Sequence, residues 1–169
     1  MANYKDNASL QNPGAFADGS KLKIGIAVAE WNREVTSKLL EGTLSSLTKC
    51  SVNETNIYKV EVPGSFELTS GAQFLFQNYS LDAVICLGCI IQGETRHFDF
   101  ISDAVANGVT NVSIKYGKPV IFGVLTTDTM EQALERCGGK HGHKGEEAAV
   151  TAVKMALLKE QNAKGKIGF

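Results

Sequence analysis

The run "DAVICLGCII", residues 82–91, carries no charged side chain after Asp82. A strand with one wet face alternates apolar and polar residues, so an unbroken apolar strand needs cover on both faces. The cover is written on either side of it. Leu68, Ala72 and Leu75 precede it at helical spacing, and Ile101, Val105, Val109 and Val112 follow on one helical face. "KIGIAVA" (Lys23 to Ala29) and "KPVIFGVLTT" repeat the β-rich, nearly continuous apolar pattern, and "NIYKVEVPG" is a further strand stopped by Pro63-Gly64.

Strands and helices alternate throughout. Asn32 stands where it caps a helix carrying Val35, Leu39, Leu40, Leu44 and Leu47. Asp128-Thr129-Met130-Glu131 resembles a capping box, "RCGGKHGHKG" breaks the helix that follows, and Gly145 to Lys159 forms a last helix. The expected fold is α/β: a three-layer α/β/α sandwich, flavodoxin-like, with a four-stranded parallel sheet and helices on both faces. A barrel needs eight such units. At 169 residues the chain suits a single domain, expected over 21–160, with a flexible N-terminal arm at 1–20 and a C-terminal tail at 161–169.

Composition excludes several classes of function. Seventeen basic against eighteen acidic residues leave a net charge of −1, so nothing draws the whole surface to nucleic acid or anionic membrane, and any anion site is local. No stretch reaches the ~18 uninterrupted apolar residues of a membrane span. The opening "MANYKDNASLQNPGAFADGSK" lacks a signal peptide's apolar core, and four cysteines without one fit reduced thiols, so a cytoplasmic location is expected.

In a parallel sheet ligands bind where the strands end. After the third strand, "IIQGETRHFDF" offers Gly93 for a tight turn, Thr95 at a helix start whose N–H groups favour an anion, and His97, a proton carrier near neutrality. Taken alone, Thr95 serves equally as a cap and His97 as a surface residue. In "VPGSFEL", Ser65 and the free N–H groups of a new helix suit a polyol or heterocycle edge, while Glu67 equally complements the helix dipole. Trp31, the only tryptophan, lies in a strand-to-helix turn, as a stacking platform or as a cover over the core. Arg136, Lys140 and Lys144 among glycines form a flexible cationic loop able to grip phosphate, or an ordinary helix terminus. Neither a phosphate loop ending in Gly-Lys-Ser or Gly-Lys-Thr nor G-x-G-x-x-G is present. Cys86 and Cys89, three apart in a strand, point to opposite faces, and Cys137, His141 and His143 lack four-ligand spacing, so no metal site is expected.

Together, "AEWN", "VPGSFEL", "LGCIIQGETRHFDF", "PVIFGVLTTDTMEQALERCGGKHGHKG" and "EAAVTAVKMA", in this order, resemble the lumazine synthase family over about residues 20–158. The resemblance implies condensation of 5-amino-6-(D-ribitylamino)uracil with 3,4-dihydroxy-2-butanone 4-phosphate, in riboflavin synthesis, without a cofactor. It implies that Trp31 stacks on the pyrimidine, that Ser65, Phe66 and Glu67 hold the uracil and ribityl chain, and that Cys89, Ile90 and Ile91 line the heterocycle edge. Glu94 and Thr95 then receive the phosphate and His97 is the acid/base. Phe122 and Arg136, the latter for phosphate, come from a neighbouring subunit, and Lys144 touches substrate. Pentamers, assembled into an icosahedral capsid on the strength of the short loop between Arg136 and Gly145, and a functional link to riboflavin synthase are implied as well. His141, His143 and Thr69 depart from the residues frequent in the family.

Overall fold

The computed structural model describes residues 16–163; positions 1–15 of the expected arm and 164–169 of the expected tail lie outside the described residues. Strands β1 (Ile24–Ala29), β2 (Ile57–Val62), β3 (Ala83–Ile91) and β4 (Val120–Thr127) alternate with helices α1 (Arg33–Lys49), α2 (Leu68–Asn78) and α3 (His97–Tyr116). Helix α4 (Met130–Leu134), a small hairpin of β5 (Cys137–Gly139) and β6 (Gly142–His143), and α5 (Lys144–Ala163) complete the order. The main sheet is parallel throughout, in the order β2-β1-β3-β4. That is the flavodoxin-like, three-layer arrangement expected.

Every residue of β3 from Ala83 to Ile90 is buried. Its odd-numbered side chains Ile85, Leu87 and Cys89 meet Val35, Leu39 and Leu47 of α1 and Val150 and Val153 of α5. Its even-numbered Val84, Cys86 and Ile90 meet Leu68, Ala72 and Leu75 of α2 and Val105, Val109 and Val112 of α3. Each buried Val, Leu or Ile contributes about 1.5–3 kcal/mol, against ~0–1 kcal/mol for an exposed ion pair such as Arg33–Glu61 at 3.4 Å. The two-sided core therefore decides the fold. Cys86 and Cys89 face opposite layers, as their spacing requires, and burial pushes both thiols up to about 12.

Three local expectations are corrected. Asn32 precedes α1, but its side chain makes no capping bond; it adopts the left-handed conformation (φ 57°, ψ 44°) and reaches Cys89 instead. Ahead of α4 the box lies one residue later than Asp128–Glu131 suggests: Thr129 accepts from Gln132 N, and Gln132 Oε1 accepts from Asp128 N at 2.9 Å. The supposed flexible cationic loop is an antiparallel hairpin in which Gly138 (φ 106°) and Gly142 (φ 83°) occupy backbone conformations that L side chains rarely adopt. The last helix starts at Lys144 and passes position 160, and Gly19 within the expected arm already donates to Cys50 O at 2.7 Å.

Helices α1 and α5 approach closely at Gly145, whose Cα faces the Leu39 carbonyl with no room for a Cβ. The Thr43 hydroxyl lies 2.8 Å from Leu39 O and 3.0 Å from Gly145 O, closing the same seam. Gly145→Ala forces a methyl against backbone that cannot move aside, and is expected to lower unfolding free energy by about 1–3 kcal/mol in urea titrations. A midpoint equal to that of the parent would show the seam to be loose.

Candidate active site

The carboxyl ends of β1 and β3 and the turn after β2 surround a cavity of about 440 Å³. The β1 end supplies Trp31 and Asn32, and the 3-10 turn after β2 supplies Ser65, Phe66 and Glu67. From β3 come Cys89, Ile90 and Ile91, followed by Gly93, Thr95, His97, Phe98 and Ile101 at the start of α3.

Hydrogen bonds at the rim explain why these segments meet. Glu30 N donates to Val62 O at 2.8 Å and Trp31 N to Pro63 O at 3.1 Å, extending the β1–β2 pairing past the strands. Asn32 Nδ2 donates to Cys89 O at 2.9 Å, tying the same turn to β3. Asparagine is among the few residues that tolerate the left-handed conformation. Gln92 N donates to Thr127 O at 2.9 Å, and its side chain caps Gly93 O at 2.7 Å.

The walls differ in chemistry. Trp31 (69% exposed) and Phe66 (55%) present aromatic faces at the mouth. Ser65 is buried, with its hydroxyl over Gly88, and Glu67 Oε2 accepts Gly64 N–H at 3.0 Å. At the far side, Thr95 Oγ1 accepts from His97 N at 3.3 Å, so the hydroxyl sits on the first N–H of α3. Side chains within the first turn of α3 thus stand in the field of a helix N-terminus.

Gly93 does not occupy the left-handed region, and a Cβ there would meet nothing within 4 Å, so neither backbone conformation nor crowding requires glycine at this position.

Most sequence-derived candidates converge on this cavity, but four do not. Glu94 is exposed and stands outside the lining. Phe122 lies on β4, paired with Cys86, and is partly exposed. Arg136 joins α4 to the hairpin and donates from Nη1 to Gln132 O at 2.8 Å. Lys144 donates its N–H to Arg136 O at 2.8 Å, while its Nζ pairs with Glu147 at 3.2 Å. None of these last three lines the cavity of its own chain. Sequence reasoning took Asn32 as a cap and Ile101 as core, and passed over Phe98; the signal for the last two was their place beside His97, Phe98 next to it in sequence and Ile101 one helical turn on.

Arg96 is spent locally. It lies 3.8 Å from Asp99 and over the Phe100 ring at 5.8 Å, both on the surface. Burial pushes the Cys89 thiol in the wall to about 12 and Cys137 to about 11, so neither is a thiolate near neutrality. Among the described residues no group of three or more His, Cys, Asp or Glu is placed to hold a metal.

Comparison with known proteins gives this cavity a family. The sequence profile described as 6,7-dimethyl-8-ribityllumazine synthase matches residues 21–160. A relative of that name from Cytophaga hutchinsonii is 58% identical over 142 residues, covering 84% of this chain and 89% of its own. Another from Parabacteroides distasonis is 50% identical over 155 residues, covering 92% and 97%. A third from Porphyromonas gingivalis is 52% identical over 158 residues, covering 94% and 98%. With its profile matched across the whole sheet and identities of this size over most of its length, the chain belongs to the 6,7-dimethyl-8-ribityllumazine synthase family.

Proposed function

We propose that this protein joins 5-amino-6-(D-ribitylamino)uracil to 3,4-dihydroxy-2-butanone 4-phosphate, releasing phosphate and water, and so forms the lumazine ring in riboflavin biosynthesis. The observation that carries the assignment of roles is the meeting of stacking aromatics with Thr95 and His97 in one cavity. The uracil lies against Trp31. Backbone groups of Cys89, Ile90 and Ile91 pair with its edge, and the turn Ser65–Glu67 takes the ribityl hydroxyls. The 5-amino group of the substrate adds to the ketone and water leaves as the imine forms. Loss of the C3 proton then expels phosphate and leaves an enol; proton transfer to its terminal carbon turns the enol into a ketone, and the ribityl-bearing nitrogen closes the ring on that new carbonyl with loss of water.

Each step moves a proton or a leaving group, and His97 is the side chain in the cavity suited to carry protons near pH 7. The nucleophile is the substrate's amine, so the chemistry asks for no protein nucleophile, metal or redox cofactor, and thiols held protonated by burial are no handicap. Thr95 and the exposed N–H groups of α3 receive the phosphate, with Glu94 at the edge of that loop.

Among the described residues the lining contains Glu67 but neither lysine nor arginine. A doubly charged phosphate needs a cation, and Arg136, outside the lining of its own chain, offers a bidentate one. Arg136, Phe122 and Lys144 therefore act on the cavity of a neighbouring copy within a pentamer. The short hairpin before Gly145 favours assembly of pentamers into an icosahedral shell. The functional unit is the domain 21–160, working in the cytoplasm, and its product passes to riboflavin synthase.

Mixing the purified protein with both substrates is expected to raise lumazine absorbance and fluorescence well above the spontaneous rate; parity with buffer removes the assignment. His97→Ala is expected to slow kcat by about a hundredfold or more while leaving the dissociation constant of the pyrimidine largely unchanged. Weakened binding with an intact single-turnover rate would contradict a proton-transfer role. Co-assembly of His97→Ala with Arg136→Ala chains is expected to recover roughly a quarter of parental sites, as random mixing of shared sites requires. No recovery, in particles that mass photometry shows to be mixed pentamers or shells, would place Arg136 in its own chain's site.

A further inference from the structure

Gly64 adopts φ −139° and ψ 177°, extended backbone open to any residue, yet it is buried under two side chains. A Cβ on Gly64 would lie 3.1 Å from Trp31 Cε3 and 3.3 Å from Trp31 Cζ3, inside the ~3.5–4.0 Å of good carbon–carbon contact. The benzo edge of the indole therefore rests on the bare Cα. The preceding residue holds the same tryptophan by its backbone, since Trp31 N donates to Pro63 O at 3.1 Å. The ring is otherwise 69% exposed, so this seat is a large part of what fixes its attitude.

The same Cβ would also lie 3.1 Å from Glu67 Oε2. That oxygen is the free end of a flexible side chain, and its partner is the Gly64 N–H, which any residue but proline retains. The carboxylate can shift by a few tenths of an ångström and keep its bond. The indole is rigid, has two rotatable bonds and faces open solvent, so it is the group that yields.

We propose that Gly64 is a positioning residue for the pyrimidine substrate: its missing side chain is the seat that holds the Trp31 indole at the stacking pitch. The proposal rests on the stacking role assigned above to Trp31. A phenylalanine ring is shorter and lacks the fused benzo edge that touches position 64, so it neither needs the seat nor suffers from its loss.

The test is a double-mutant cycle of Gly64→Ala and Trp31→Phe, read by steady-state kinetics and by calorimetric titration of the lumazine product. Gly64→Ala is expected to raise the pyrimidine KM and the lumazine dissociation constant about three- to tenfold, the range that aromatic stacking spans. Neither kcat nor the KM of the butanone phosphate changes. In the Trp31→Phe background the same substitution changes them by less than about twofold. Because Trp31 is the only tryptophan, its emission in the unliganded protein reports the ring directly. Gly64→Ala is expected to red-shift that emission and increase acrylamide quenching. Equal losses in both backgrounds, or unchanged emission, overturn the proposal. If Gly64→Ala folds only together with Trp31→Phe, the seat is supported; if it folds in neither background, glycine serves the fold and the proposal fails. A parent protein that neither turns over nor binds lumazine would instead defeat the functional assignment, and the emission comparison would still judge the seat.

Discussion

The burial of β3 on both faces is the constraint from which the rest follows. From Ala83 to Ile90 no side chain of that strand is left in water, so the middle of the molecule has no room for a polar site. Chemistry is pushed to where the strand leaves the core. Because β1 and β2 run parallel to β3, their carboxyl ends reach the same rim, and three unrelated turns meet there without long loops. The cavity is the space between those turns once the helices on both sides have claimed the apolar surface.

What keeps that rim in shape is hydrogen bonding beyond the last ladder pairs. The peptide groups of Glu30 and Trp31 continue the β1–β2 pairing onto Val62 and Pro63, and Gln92 continues β3 onto Thr127. Asn32 joins the two halves through Cys89 O. Its side chain is unavailable to cap α1 because it serves the rim, and the chain accepts a left-handed residue to put it there. Such a residue costs of order 1–2 kcal/mol, and a hydrogen bond returns about 0.5–1.5 kcal/mol, so the turn is nearly neutral for stability and its value lies in positioning.

The sheet and its helices were legible because two-sided burial leaves uninterrupted apolar strands and helices with a regular stripe. "AVICLGCII" and the Val105–Val109–Val112 spacing needed no structure to interpret. The hairpin at Cys137–His143 was not legible, since strands of three and two residues rich in glycine carry no alternation. The α4 box was misplaced by one residue because Glu131 and Gln132 both suit its closing position and only geometry separates them. Within the site, Trp31, Ser65 and His97 stood out as polar or aromatic groups at strand ends. Phe98 and Ile101 did not, because an apolar residue that lines a cavity and one that fills a core look alike in sequence. Gly64 illustrates the same limit: it seats a ring, yet it occurs in a motif that reads simply as a turn.

Electrostatics makes the single chain an incomplete version of the site proposed for it. Among the described residues the cavity lining holds one carboxylate, Glu67, and no lysine or arginine, in a chain of net charge −1. A helix N-terminus contributes only about 0.3–1 kcal/mol toward an anion at an exposed position, too little to hold a doubly charged phosphate against water. Arg96, the cation adjacent in sequence, has 83% of its side chain exposed, where pairing is weak and screened. A guanidinium that arrives from elsewhere meets the phosphate partly desolvated and bidentate, where a charged hydrogen bond is worth roughly twice a neutral one. Placing Arg136 just ahead of the hairpin and outside the lining of its own cavity thus makes sense if assembly completes the site. Burial of the exposed Phe100, Ile114 and Phe122 would then supply the apolar stabilisation of assembly, while the arriving arginine supplies the charge. On this account association and phosphate affinity are two consequences of one interface, and a chain that fails to assemble keeps its stacking wall but loses its anion site.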